Sequence, residues 1–285
     1  MKKSRSRDIQ PRRLTALVTG LFALVGTGIL AVLVIGILPI VARPRLFTDL
    51  LGGLWDPLAG HFGLAPFLVG TVVVTGVAIV LAVPLGLGVA VTLCQGFLGR
   101  LRASIVKALT VLTAVPSVIF GWWGLLVVVP WVRQHVGGAG FSLLAAGVVL
   151  AIMLLPTISL LFYHALYNVP RAYREGSAAL GATPDQTLLR VVLPCALPAL
   201  VQSLLVGVGR ALGETMAVQM VIGGQTALPS GLASPGATLT TQILTDMTVF
   251  PPGTRGHAVL DAMALVLMVG MYWLVRVSDR WGSYS

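Results

Sequence analysis

Residues 170–194 read PRAYREGSAALGATPDQTLLRVVLP, the longest polar interruption in the second half of an otherwise oily chain. Pro170 suits the first turn of a helix, where an N–H would have no partner anyway. Gly181 follows Ala178, Ala179 and Leu180, at the place where a helix stops with a left-handed residue. Thr183, Pro184 and Gln186 read as a second start: Thr183 as N-cap, Pro184 at the first helical position, Gln186 closing a capping box. Two short helices meeting at a sharp glycine corner are therefore expected. A mere connection between spans needs only a few residues, so a corner with a built shape points to a docking surface.

Working outward, the chain has 285 residues, of which 56% are hydrophobic and 10% charged. Soluble domains carry about 25% charged residues, so this is a polytopic membrane protein. The net charge is +10, with a sequence pI near 10.6. A nucleic-acid partner is excluded by distribution, because the charges sit between apolar runs instead of along one face. Lipid is the expected surroundings. Cys94 and Cys195 fall at span ends and read as small apolar residues instead of a disulfide or a metal pair.

Spans are expected at about 14–39, 67–94, 105–130, 141–166, 197–222 and from about 257 to 276. Each exceeds the roughly 20 residues that cross a bilayer. Pro84, Pro116 and Pro156 imply kinks, which membrane helices tolerate where neighbours satisfy the freed backbone groups. Three regions follow: a basic tail, first span and outer loop over 1–66; a membrane domain over 67–277 that includes the corner 170–194; and a short tail over 278–285. Fourteen of the nineteen Lys and Arg residues fall in the N-terminal tail, the 95–107 connection, the corner and the C-terminal end. By the positive-inside rule those parts face the cytoplasm, and loops 41–66 and 223–256 face outward. The fold class is all-α, with six transmembrane helices and both termini cytoplasmic.

The two glutamates, Glu175 and Glu214, both sit at informative places. Glu175 opens the corner. Glu214 lies in the fifth span, four residues after Arg210; on a continuous helix the two side chains share a face and can pair. An unpaired Arg at mid-membrane costs about 2.5–3.5 kcal/mol on insertion scales. One account makes the pair structural glue between helices. The other makes it a polar patch lining an anion path, with the Thr215 hydroxyl beside it and the carboxylate keeping the Arg from holding an oxyanion too tightly to release. Gly209 and Gly213 form a G-x-x-x-G face that suits close helix packing.

Energy has to come from a partner. A P-loop needs G-x-x-x-x-G-K-[ST], and none of Lys2, Lys3 and Lys107 has the preceding glycine. No catalytic triad, metal-ligand cluster or cofactor motif is present in the sequence, so no enzyme activity and no cofactor are expected of this chain. His61, His135, His164 and His257 are scattered near span ends.

At the corner, EGSAALGA over 175–182 followed by Leu193-Pro194 resembles the EAA loop of ABC importer permeases, with Gly176 where alanine is usual. The resemblance implies that Glu175, Ala179 and Gly181 couple the chain to a cytoplasmic ATPase. RALGETMA over 210–217 and its continuation MAVQMVIG over 216–223 resemble phosphate importer permeases of the PstC type. FGLAPFLVGT (62–71), VPSVIFG (115–121), LLPTI (154–158) and TLTT (238–241) fit the same family. The resemblance implies a type I (MetI-like) six-helix permease fold. It further implies a second homologous permease, an ATPase dimer on the cytoplasmic side and an extracytoplasmic phosphate-binding protein. Arg210, Glu214 and Thr215 become the expected substrate-path residues, in a bacterial inner membrane. Rival readings are a permease for molybdate, tungstate or sulfate, a stand-alone anion channel or carrier, and a non-transporting scaffold in which the Arg210–Glu214 pair is glue.

Overall fold

The computed structural model describes residues 9–41, 52–95 and 98–282. Lys2, Lys3, Arg5 and Arg7 of the basic tail, Arg43 and Arg45 of the first loop, and the last three residues lie outside that range. Helix α1 (Ile9–Val41) is followed by a small antiparallel hairpin, β1 (Trp55–Asp56) and β2 (His61–Phe62), with Trp55 opposite Phe62. Next come α2 (Ala65–Cys94), α3 (Leu101–Thr113), α4 (Ser117–His135) and α5 (Leu143–Tyr167). After α6 (Arg171–Ala179), α7 (Pro184–Thr187) runs through a π-helical turn (Leu188–Val192) into α8 (Leu193–Gly213). The chain closes with α9 (Met216–Ile222), α10 (Leu239–Asp246) and α11 (Arg255–Gly282). Six of the described helical segments are long and apolar enough to cross a membrane, so the protein is multi-pass.

Helix α5 is the axis of the bundle, buried over most of its length. It starts on a Ser142 cap, whose Oγ accepts from the Ala145 N–H at 3.1 Å. Helix α2 lies beside it and runs the same way: Val77 meets Gly147, Gly86 meets Ile158, and the Cys94 thiol reaches the Tyr163 carbonyl. Small residues make this seam possible. Ala78, Ala82 and Ala90 are fully buried, and a Cβ on Gly147 would come within 2.5 Å of Val77. In a bilayer, where apolar burial alone gains little, such close packing supplies the attraction.

Because α2 and α5 are parallel, the chain returns between them through α3 and α4. The expected third span, 105–130, is in fact two helices. The break falls at Pro116, which has no N–H to continue a helix and caps α4 instead. Helix α3 has no buried residue and carries Arg102 and Lys107, so the crossing segment is Ser117–His135.

A second cluster joins the ends of α1, α2 and α11 around Phe67, Trp55 and Met263. Trp55 stands edge-on to both Phe62 and Phe67. Helix α1 touches the bundle mainly through Ile37 and Ile40, near its end. The hairpin, the start of α11 and the loop after α9 thus share one end of the bundle. The ends of α2 and α5, the start of α3 and the 170–194 corner share the other.

Candidate translocation path and elbow

The corner has the geometry its sequence encodes. Helix α6 ends in a Schellman motif: Gly181 N–H donates to the Ala178 carbonyl and Ala182 N–H to the Ser177 carbonyl, at 2.9 and 3.2 Å. Gly181 sits at φ +82°, and a Cβ there would meet nothing, so glycine is needed for the backbone angle and not for space. Thr183 and Gln186 close the capping box in both directions, at 3.0 and 3.3 Å. The second arm is not a separate short helix, however. It is the head of the fifth span, which runs from Pro184 to Gly213. Pro194 explains the widened turn: it cannot donate and would press on the carbonyl four residues back, and Leu193 N–H reaches five residues back to Leu188 instead.

Three contacts that sequence reasoning missed brace this elbow. Arg174 Nη2 donates to the Leu166 carbonyl at 2.8 Å, covering the end of α5. Ser177 Oγ and Thr187 Oγ1 share a hydrogen bond of 2.9 Å across the corner. Arg102 of α3 donates through Nε and Nη2 to the Tyr163 hydroxyl, and its guanidinium lies over the rings of Tyr163 and Tyr167 at 5.1 and 4.7 Å. The Tyr163 hydrogen bond holds the Arg102 guanidinium above its ordinary pKa. Only Ser177 and Thr187, two small hydroxyls flanking a glycine corner, left a local signal.

The outer face of the elbow is bare. Glu175, Ala179 and Gly181 are all exposed, and Leu180 is 90% exposed at the knuckle. Tyr173, Leu180, Gln186 and Arg190 border a groove of about 390 Å³.

At the far end of the same helix, Arg210 does not pair with Glu214. Helix α8 stops at Gly213, and Glu214 is extended at φ −75°, ψ 123°, which turns the following backbone back within reach of its carboxylate. The Glu214 carboxylate instead folds over the start of α9, accepting from Ala217 N–H at 3.4 Å, and its carbonyl accepts from Thr240 Oγ1 at 3.2 Å. Thr215 is the cap residue of α9, its hydroxyl 3.5 Å from the Gly213 carbonyl. Arg210 Nη1 donates to Thr157 Oγ1 of α5 at 3.2 Å. The guanidinium is exposed and opens on a groove of about 280 Å³ between α8 and α11, beside Met271 and Ser278. Gly209 closes on Met271, whereas Gly213 faces open space, so the expected glycine face is only half used.

Thr157 lies midway along α5, which sets Arg210 at mid-depth. The fifth crossing is therefore discontinuous: Pro184–Gly213 breaks at Glu214–Thr215, and the seven residues of α9 carry the chain onward. Unwound backbone at this depth survives only where protein or a wet cavity satisfies it, and such breaks are where transporters hold their cargo. The arrangement can offer an anion a guanidinium, several hydroxyls and a carboxylate kept to one side. Among the described residues no group of three or more potential ligands could hold a metal ion.

With the fold and the broken span in hand, the class is defined: the chain belongs to the binding-protein-dependent transport system inner membrane component family, whose model matches residues 82–281. It is 38% identical to the probable ABC transporter permease protein YqgH of Bacillus subtilis, over 75% of this chain and 71% of that protein. It is 34% identical to the phosphate transport system permease protein PstC of Haemophilus influenzae, over 75% and 74%. For PstC 1 of Mycobacterium tuberculosis the figures are 31%, 78% and 72%. Among solved structures it resembles a chain of the inward-facing MetNI methionine ABC transporter (TM-score 0.62, 23% identity, 80% of this chain and 97% of that one). A chain of the bacterial alginate ABC transporter, solved with its alginate-bound periplasmic protein, also matches (TM-score 0.62, 14% identity, 98% and 95%). These two establish the type I, MetI-like permease fold.

Proposed function

We propose that this chain is the membrane permease subunit of an ATP-driven importer of inorganic phosphate. It forms the translocation path with a second, homologous permease, receives phosphate from an extracytoplasmic binding protein and is driven by a separate ATPase pair. The membrane is a bacterial inner membrane. The elbow end faces the cytoplasm, because Arg100, Arg102, Lys107, Arg171, Arg174 and Arg190 gather there while Arg133 and Arg255 lie at the other end. Phosphate as cargo is supported by the PstC relatives.

One observation carries the mechanism. A single helical segment, Pro184–Gly213, joins the elbow to Arg210, a lever about 40 Å long at 1.5 Å per residue. Glu175, Ala179 and Gly181 present its outer arm to the ATPase. The Arg174 and Ser177 braces make the elbow turn with α5 and α8 rather than bend on its own. Displacement of the elbow then moves the guanidinium and the 214–215 break, which open or close the path. Arg210 attracts the anion and Thr215 and Thr157 offer hydroxyls. Glu214, turned to Ala217, leaves the guanidinium charge open to the anion, and release comes from movement of the break, since conduction requires binding weak enough to leave.

The test is uptake of radiolabelled phosphate by a bacterium whose own importer lacks this subunit, supplied with the gene and its ATPase and permease partners. Uptake that requires an intact P-loop in the ATPase, and that excess sulfate and molybdate do not compete away, is the expected result. Competition by either oxyanion would reassign the cargo, and uptake without the ATPase would make the chain a carrier.

A further inference from the structure

The seam between α9 and α10 contains a buried polar atom with no partner. Gln219 stands one turn beyond Thr215 on the same face of α9, its N–H donating to the Thr215 carbonyl at 2.8 Å. Its Nε2 donates to Thr245 Oγ1 at 3.4 Å. Thr245 has a single hydroxyl proton and gives it to the Thr241 carbonyl at 2.9 Å, so toward Gln219 it can only accept. That fixes which end of the carboxamide faces Thr245. The Oε1 atom is left buried and without a hydrogen bond.

Packing does not explain a glutamine here. Val218 and Val221 on the same helix are buried and apolar, and a valine or leucine at 219 would fill space without an unmet acceptor, which is costly in an apolar segment. The side-chain hydrogen bonds that cross the seam among the described residues are Gln219 to Thr245 and Thr240 to the Glu214 carbonyl. Movement of the 214–215 break would part it. An anion arriving from the hairpin end would then meet Gln219 before Arg210.

The chemistry available to such an anion is asymmetric. Arg210 is donor-only and treats every oxyanion alike. Hydrogenphosphate and dihydrogenphosphate carry a P–OH and can donate; fully ionised sulfate cannot, and would face the amide oxygen lone pair to lone pair. We infer that Gln219 is a further residue of the anion path, whose carboxamide oxygen accepts a hydrogen bond from a proton-bearing oxyanion on its way to Arg210. This rests on the phosphate-import reading.

The test uses the complete transporter, with both permeases, ATPase and binding protein, in proteoliposomes. Gln219→Met keeps the length and removes the acceptor; it is expected to lower the maximal rate of phosphate uptake about tenfold, as for one lost hydrogen bond in the rate-limiting complex, and not to act by raising the half-saturating concentration. A second variant covers the case where that one fails to assemble. With Cys94 and Cys195 replaced by serine, Gln219→Cys is expected to react with a small charged thiol reagent during ATP turnover, and millimolar phosphate, but not sulfate, should slow the reaction. Wild-type rates in Gln219→Met, no labelling of Gln219→Cys in any nucleotide state, or equal protection by both anions would each overturn the inference while leaving phosphate import standing. A wild-type complex that accumulates no phosphate would overturn both.

Discussion

Replacing Thr157 by valine probes the path at its most exposed joint. The change keeps the branched shape and removes the hydroxyl that accepts from Arg210 Nη1 at 3.2 Å, so no cavity opens. A hydrogen bond to a charged group contributes about 1.5–3 kcal/mol. Arg210 is exposed on the surface of this chain, and in a water-filled path water can replace part of the lost bond, which reduces the expected cost to about 1–1.5 kcal/mol, or roughly five- to tenfold in rate. In the proposed scheme, where a binding protein delivers phosphate before the guanidinium acts, the loss should appear in the maximal rate of phosphate uptake and not in the half-saturating concentration. Thr157→Ser retains the hydroxyl and should recover most of the rate. The assay is initial-rate uptake by the reconstituted transporter over a range of phosphate concentrations. Full activity in Thr157→Val, or equal damage from serine and valine, would refute the role given to this contact.

Other expectations follow from the elbow and from α1. Gly181→Ala should cost about 1–2 kcal/mol from the left-handed backbone angle alone, since its Cβ meets open space; a lower melting temperature of the purified complex would register it. Ser177→Ala removes the bond across the corner and should reduce phosphate moved per ATP hydrolysed more than it reduces hydrolysis. Leu180→Asp places a charge at the bare knuckle, where no intrachain packing is lost; co-purification of the ATPase should fall while the permease pair stays intact. Gly36→Val would force the Asp261 carboxylate, which stands where a Cβ would sit, to swing aside. Because only a flexible side chain has to move, α1 should stay attached and the melting temperature of the purified complex should fall only modestly.

What the sequence made legible was local. Gly181, Thr183 and Gln186 specify a Schellman end and a capping box within seven residues, and neighbouring backbone decides both. The six crossings were legible too, since apolar length is a property of composition. Helix interruptions were not. In the run 197–222, Gly213 and Thr215 stand at the spacing of Gly181 and Thr183 in the corner, but Gly213 reads equally as part of a G-x-x-x-G packing face, and the stop shows only in its contacts: Thr240 holds the Glu214 carbonyl and the Glu214 carboxylate turns to Ala217. The i,i+4 reading of Arg210 and Glu214 assumed a helix that tertiary contacts end one residue too soon. Long-range partners were equally hidden. Arg102 was counted as a topology charge, yet it reaches Tyr163, 61 positions away, and Arg210 finds Thr157 at a separation of 53. Only packing of α3, α5 and α8 brings those residues together.

The lever is best tested by distance. Spin labels at Leu189 and Val206, which are 63% and 53% exposed on the Pro184–Gly213 segment, report its length; a label at Val275 on α11 reports its position across the groove that Arg210 lines. Between the nucleotide-free and ATP-trapped complex, the 189–206 distance should stay fixed and the 206–275 distance should change. A segment that bends between 189 and 206 while the 206–275 distance holds would contradict transmission of the stroke from elbow to guanidinium.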